Sequence, residues 1–458
     1  MFLALLRKEI VSHVLTLRFG VTFILFLLLV FASAYVTTNE YRRDLDEALA
    51  ANRAAQADLR RAYEQGRDTG DNFYTVFYRQ GRKESLPPPP LSSLVQGLRP
   101  GTPAMVQARA WSSEMIGRGG EQNPLAGLLP IPDLVYVVGV VLSLLAILFA
   151  FDAVSGEKEA GTLRLMLSNA VPRDQVLLAK WVGGYLVLVA PFLIAVFGGV
   201  LYAWWKGALT LTGESLPRLL VILLIACLYI SVFFTLSLAV SALTHRSATA
   251  LFLCLLIWVV WILVIPNLAP VVAKILRPGY SPRKVDQEKA AVRSEIRLRM
   301  ERLTLTTGKL SYGTEIQEAR DKLEREEERR LQQWDRFLED SIRRQRNLTA
   351  VLGRLSPAAC WTYAAVALAD VGPGSFRRLE EAFRKLRAEM EQVAESIRPS
   401  RDQPVRSFKL DQVPSLRVAP ASFRDAAGEA LNDILILAIL NAVFFMTAFV
   451  RFLRYDVR

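Results

Sequence analysis

Residues 151 to 180 read FDAVSGEKEAGTLRLMLSNAVPRDQVLLAK, a polar stretch of mixed charge held between two long apolar runs, Leu134 to Phe151 and Trp181 to Trp204. Each run is long enough, at 1.5 Å of rise per residue, to cross a hydrocarbon layer about 30 Å thick. Four more runs of that kind lie at Phe19 to Val36, Leu219 to Ala242, Ala248 to Leu268 and Ile434 to Phe452. Apolar residues make up 52% of the chain, but they are gathered into these blocks instead of being spread at core spacing. The pattern predicts a mainly α, polytopic membrane protein with six transmembrane helices. The segments are 1 to 36, 37 to 133, 134 to 270, 271 to 430 and 431 to 458.

Basic residues near short loops set orientation. Arg7, Lys8 and Arg18 precede the first span, and Lys158, Arg164, Arg173 and Lys180 lie in the quoted stretch. Arg246 follows the fourth span, and Arg451, Arg454 and Arg458 close the chain. With six spans all of them fall on one side, which is read as the cytoplasm of a cell with an inner membrane, both termini included. Lys206 and Arg218 are a minority opposite. The net charge of +12 is dispersed: residues 37 to 133 carry none, 271 to 429 carry +7 and the remainder +5. No single basic stripe of the kind that tracks nucleic acid results. Of the three cysteines, Cys227 and Cys254 fall in spans, so no outer segment holds an internal pair. Cys360 is read as free or buried, with an intersubunit bond as the alternative.

Met1 to Leu17 places Leu3, Leu6, Ile10, Val14 and Leu17 at helical spacing and predicts an N-terminal interfacial helix. A signal peptide cleaved after Ala32-Ser33-Ala34 is disfavoured by the length of the apolar run. Tyr41 to Tyr63 repeats apolar residues on one helical face, interrupted by Asn52, and Gly66 is expected to end it. Phe73 to Tyr78 reads as a short aromatic strand, and Pro87 to Pro90 as a stiff linker. The first outer segment is thus a small α+β part. The second is largely helical, with a charged stretch from Val285 to Asn347 interrupted near Thr306 to Gly313. Its later face carries Leu331, Trp334, Leu338 and Ile342. Phe376, Leu379, Phe383, Leu386, Met390, Val393 and Ile397 step by three and four, a seam for another helix, which Pro399 should stop. Pro191 and Pro266 should kink or end their spans. Asp433, at the outer mouth of span six, is a pathway candidate or a water-facing helix end.

Ser155-Gly156-Glu157-Lys158-Glu159-Ala160-Gly161-Thr162-Leu163-Arg164-Leu165-Met166-Leu167-Ser168, followed by Val171-Pro172-Arg173 and Lys180, resembles the cytoplasmic coupling loop of the ABC type-2 transporter permeases. Members show an acidic pair, Gly-Thr-Leu, a leucine-rich short helix, a Pro-x-Ser-Arg turn and a Lys opening the third span. Here Ala170 stands where the family has proline, and Pro172 where it has serine. Thr162 can cap a helix whose Leu163, Leu165, Met166 and Leu167 fit a partner groove, and Pro172 can open a second short helix. Glu157, Glu159 and Arg173 are placed to pair with partner charges.

The resemblance implies a permease, mainly exporting, driven by a separate P-loop ATPase in two copies that binds ATP and Mg. It also implies a second copy of this chain or a related permease, contact with lipid, and room for an extracytoplasmic protein partner. Larger members associated with gliding motility and with nitrous-oxide reductase maturation use the same core for different tasks, so no cargo is named. The chain carries no G-x-x-x-x-G-K-[ST] motif, and no metal or cofactor is expected in it. Its only histidines, His13 and His245, lie on the inner side, which leaves no outer triad or zinc site. The alternative is a non-transporting membrane scaffold or sensor whose outer helices bind a partner.

Overall fold

The computed structural model describes residues 2–69, 72–97, 103–110, 113–116, 132–163, 166, 172–210, 213–279, 281–307, 314–397 and 408–455. Among them, six helices are long and apolar enough to cross a membrane. They are span 1 (Phe19–Arg67), span 2 (Leu134–Glu159), span 3 (Arg173–Trp205), span 4 (Ser215–Leu243), span 5 (Ser247–Leu276) and span 6 (Phe423–Leu453). Each contains one of the apolar runs, so the chain is a mainly α, multi-pass membrane protein. It divides into two compact units, residues Met1–Trp258 with Pro357–Arg458, and Val259–Ser356.

Span 4 is the centre of the first unit. It is apolar on every face, as a helix surrounded by other helices must be, and Tyr229, Ile230, Phe233, Phe234 and Leu238 are all buried. Its few polar groups find partners on neighbouring helices, as buried polar groups in hydrocarbon must. The Tyr229 hydroxyl donates to Gly139 O at 2.7 Å and the Ser237 hydroxyl to Ile147 O at 3.1 Å, both on span 2. Thr235 donates to Asn441 Oδ1 on span 6 at 2.9 Å, and Asn441 Nδ2 donates to Ser231 Oγ at 3.0 Å.

The N-terminal helix α1 (Phe2–Val14) packs on span 3. The contact is made at Gly183, where an added Cβ would lie 2.9 Å from the Cβ of Glu9. A short apolar helix, α4 (Pro357–Leu368), is packed against spans 4 and 6. Its Trp361 is fully buried, with the indole N–H donating to Val135 O at 3.1 Å and the ring centred 6.0 Å from that of Tyr229. Cys360, on the same helix, is buried and unbridged.

Away from the spans, the first unit builds a second core. The helix that contains span 1 runs without interruption from Leu17 to Thr69, past the expected stop at Gly66. Asn52, which breaks its apolar stripe, accepts from Ser85 N at 2.7 Å and donates to Ser85 O at 3.0 Å, and so holds a strand edge. The strand expected at Phe73 to Tyr78 is instead helical, Asn72–Tyr74 continuing as a π-turn over Thr75–Gln80. The aromatic spacing explains the correction: Phe73 meets Phe77 at 5.5 Å and Tyr74 meets Tyr78 at 5.6 Å, each an i,i+4 pair on one helical face.

The strands lie later, β1 (Arg82–Ser85), β2 (Met105–Ala108) and β3 (Ser113–Ile116), in an antiparallel sheet of that order. Helix α5 (Pro373–Ile397) covers this layer. Its seam residues Phe383, Leu386 and Met390 share one core with Leu59, Phe77, Val106, Ala108 and Phe408. The seam therefore packs on a mixed layer of helix and sheet, not on one facing helix. A three-four repeat specifies an apolar face without specifying what covers it. Pro399 lies outside the described residues.

Span 3 continues through Pro191. Span 5 also continues past Pro266, its turns widened to π spacing over Val260–Val264 just before, which absorbs the missing donor. Asp433 is buried well inside span 6, so the water-facing reading of it fails. Arg218, one of the two cations counted on the side opposite the cytoplasm, is buried too. It donates to Ala421 O, to Leu368 O at 3.4 Å and to Glu214 at 2.9 Å, and so closes the end of α4.

In the second unit, α2 (Pro282–Thr307) and α3 (Thr314–Gly353) form an antiparallel hairpin. Lys289 pairs with Asp335, Arg330 with Glu295 at 2.9 Å, and Arg299 with Glu326 at 3.4 Å. Such exposed pairs set register more than they add stability. The end of α3 lies along the second half of span 5: Gln345 donates to Arg277 O at 2.6 Å, and Ser356 to Trp261 O.

Candidate functional site

After Ala150 the helix of span 2 breaks into a turn and re-forms, for its last residues, as one short segment, Ser155–Glu159. Ser241 of span 4 holds its start. The Ser241 hydroxyl oxygen accepts from Val154 N at 3.0 Å and Ser155 N at 2.9 Å, doing from another helix what an N-cap side chain does. The segment ends at Gly161, whose φ of +73° is a left-handed conformation that favours glycine. The tip, Glu159 to Thr162, is exposed.

Three charged side chains then reach three different helix ends, each with the sign the helix dipole favours. Lys158 donates to Ala242 O at 2.5 Å and Thr244 O at 3.0 Å, at the C-terminal end of span 4. Glu159 accepts from the Ser247 amide at 3.1 Å and the Ser247 hydroxyl at 3.0 Å, at the N-terminal end of span 5. Arg173 donates to Leu453 O and Tyr455 O, both at 2.9 Å, at the C-terminal end of span 6.

The fourth link is buried. Lys180, 5% exposed, donates to Glu157 Oε1 at 2.6 Å and to Glu9 Oε1 of α1 at 3.4 Å. Lys8 lies 3.3 Å from Glu9 and 4.0 Å from Glu157 and completes an alternating row of charge. Glu9, Asp152, Glu157, Lys180 and His13 line a cavity of about 230 Å³ beneath α1. Burial pushes the Glu9 carboxyl up, but Lys180 and Lys8 more than offset this and hold it below its ordinary value of 4.5.

A depressed acid contributes stability that is present above its unfolded value and is lost as pH falls through its folded one. Wild type is therefore expected to lose thermal stability as pH falls below 4.5, with Glu9→Gln showing a shallower decline over that window. Melting curves at stepped pH check this, and parallel curves would remove Glu9 from the account.

Several expected roles change. Leu163 is fully buried against Val176, Leu177, Leu238 and Phe452, with Met166 at the edge of the same cluster. It belongs to the chain's own core and not to a partner's groove. Thr162 donates weakly back to Glu157 O at 3.4 Å instead of capping a helix. Pro172 opens no separate short helix but is the residue from which span 3 starts. Glu157, Glu159 and Arg173 are all engaged within the chain. Leu165 and Leu167 lie outside the described residues. Sequence reading missed Glu9, Ser241 and Ser247, for which the available signals were an isolated acid on α1 and serines at span ends.

A family model described as ABC-2 family transporter protein matches residues 3–457. The chain belongs to this family. Among similar proteins is one named a probable ABC transporter permease protein, NosY, from Pseudomonas aeruginosa, 32% identical over 152 residues. That match covers 31% of this chain and 52% of the relative. The protein of the same name from Stutzerimonas stutzeri is 47% identical over 53 residues, covering 12% and 19%. The matched stretches thus span about half or less of these relatives' lengths.

Proposed function

We propose that this chain is the membrane permease subunit of an ATP-driven ABC transporter, coupled to a separate ATPase through the exposed tip at Glu159 to Thr162. The observation that carries the reading is a set of links shared by the short segment and the start of span 3: Lys158 and Glu159 hold the ends of spans 4 and 5, Arg173 holds the end of span 6, and Lys180 joins Glu157 to Glu9 of α1. A push on that tip is shared among all of them. Family membership and the names of the relatives support the same reading. The ATPase binds ATP and Mg and works in two copies. Two permease chains, this one paired with itself or a related subunit, form a path for export, or for extraction of a substrate from the membrane. The protein sits in an inner membrane with both termini in the cytoplasm, and the core around Phe77 and Met390 faces outward, where it receives cargo or an extracytoplasmic partner.

The test uses Ala160→Arg/Thr162→Arg, which crowds the exposed tip and leaves the four internal links in place. The purified wild type is expected to bind a P-loop ATPase subunit co-expressed from the same genome and to stimulate its ATP hydrolysis. The variant should lose stimulation by about tenfold, the effect of disturbing one interface hot spot, with its melting temperature unchanged. Equal stimulation by both proteins, or no ATPase bound by wild type, would overturn the proposal.

A further inference from the structure

At the end of span 5 the second unit holds an open groove of about 380 Å³ lined by Arg277, Arg344, Asn347, Leu348 and Val351. The two arginines come from different elements, the residue that closes span 5 and the late part of α3. Neither enters a salt bridge among the described residues, whereas the seam between α2 and α3 is laced with ion pairs. Both are exposed.

The depth of the groove is set by its neighbours. Gln345 is bonded to Arg277 O, and Ser356 is bonded to Trp261 O, inside span 5. The last turns of α3 therefore descend beside the span from its end toward its middle. On the same descent Ile275, Leu276, Val351 and Leu355 are all more than half exposed. Cations at the rim with bare aliphatic side chains below them is the arrangement of a phospholipid, headgroup above and chains beneath. A soluble anion would use the arginines and leave the aliphatic flank uncovered.

We infer that the groove between Arg277 and Arg344 seats the phosphate headgroup of an anionic membrane phospholipid, with its acyl chains along Ile275, Leu276, Val351 and Leu355. Arginine suits the role because its planar fork matches phosphate oxygens in pairs. Asn347 supplies an amide at the same rim for the headgroup's remaining oxygens. The inference needs only that span 5 crosses a membrane, and it holds whether or not an ATPase drives the protein.

The experiment places the full-length protein in phosphatidylcholine nanodiscs with a tracer of phosphatidylglycerol and measures the tracer retained per protein by native mass spectrometry. Wild type is expected to enrich phosphatidylglycerol. At about fivefold per basic side chain, Arg277→Gln/Arg344→Gln should lose roughly twentyfold in apparent affinity. Arg277→Lys/Arg344→Lys should retain most of it. The control Arg293→Gln/Arg297→Gln removes two exposed charges elsewhere on the hairpin and should change little. Equal loss in the control would assign the attraction to diffuse charge and overturn the site. Displacement of the tracer by inorganic phosphate alone would assign the groove to a free anion and overturn the lipid.

Discussion

Lys180→Met is expected to destabilise the protein by about 3 to 5 kcal/mol, because it leaves two carboxylates facing each other in a buried site with no cation between them. Glu157 and Glu9 both take Lys180 as a partner, and only Lys8, largely exposed, remains to screen them. The loss is specific to the mismatch. Adding Glu157→Gln and Glu9→Gln to Lys180→Met should recover most of it, since a neutral set of similar volume has no charge left unpaired. Thermal unfolding in nanodiscs at neutral pH distinguishes the cases. A triple variant as unstable as the single one would show that Lys180 acts through packing and not through charge.

Trp361→Ala should cost a similar amount, about 3 to 5 kcal/mol, from a different cause. The indole is fully buried beside Tyr229, and its N–H satisfies a backbone carbonyl of span 2. Truncation leaves a cavity at the point where α4, span 2 and span 4 meet. Trp361→Phe refills most of the volume and should lose about 1 kcal/mol, the value of the hydrogen bond to Val135 O. If Phe and Ala prove equally damaging, the hydrogen bond outweighs the packing, and the account of α4 as a space-filling wedge is wrong.

The six spans were legible because hydrocarbon imposes a length and a composition that nothing else in the chain satisfies, and the apolar runs state both. The importance of residues 152 to 180 was legible for a related reason, since a charged loop between two spans must find polar partners. Which partners was not legible. Glu157, Glu159 and Arg173 look like charges offered to another protein, and in the chain Glu157 pairs with Lys180 while Glu159 and Arg173 close the ends of spans 5 and 6. Helix ends contribute backbone groups that carry no letter in a sequence, so capping from a distant loop leaves no pattern to find. Phe73 to Tyr78 was misread for a more ordinary reason. A cluster of aromatics suits strand and helix alike, and the i,i+4 spacing that decides between them was present but outweighed by residue type. The glycine at 183 was silent as well: only the approach of α1 gives its missing side chain a meaning.

The uninterrupted helix from Leu17 to Thr69 ties two distant places together mechanically. Its first turn follows α1, which carries Glu9, while Leu59 and Tyr63 are built into the core around Phe77 and Phe408. From Leu17 to Leu59 the helix covers roughly 63 Å at 1.5 Å per residue. With no proline and no hinge between them, a tilt of about 5° at one end displaces the other by about 5 Å, more than a hydrogen bond can stretch. The rod cannot lean without either shearing the sheet edge that Asn52 grips or carrying that edge with it. A tilt at the Leu17 end of the rod and movement around Phe77 are therefore coupled, while the break at Leu15 and Thr16 leaves α1 outside the rod.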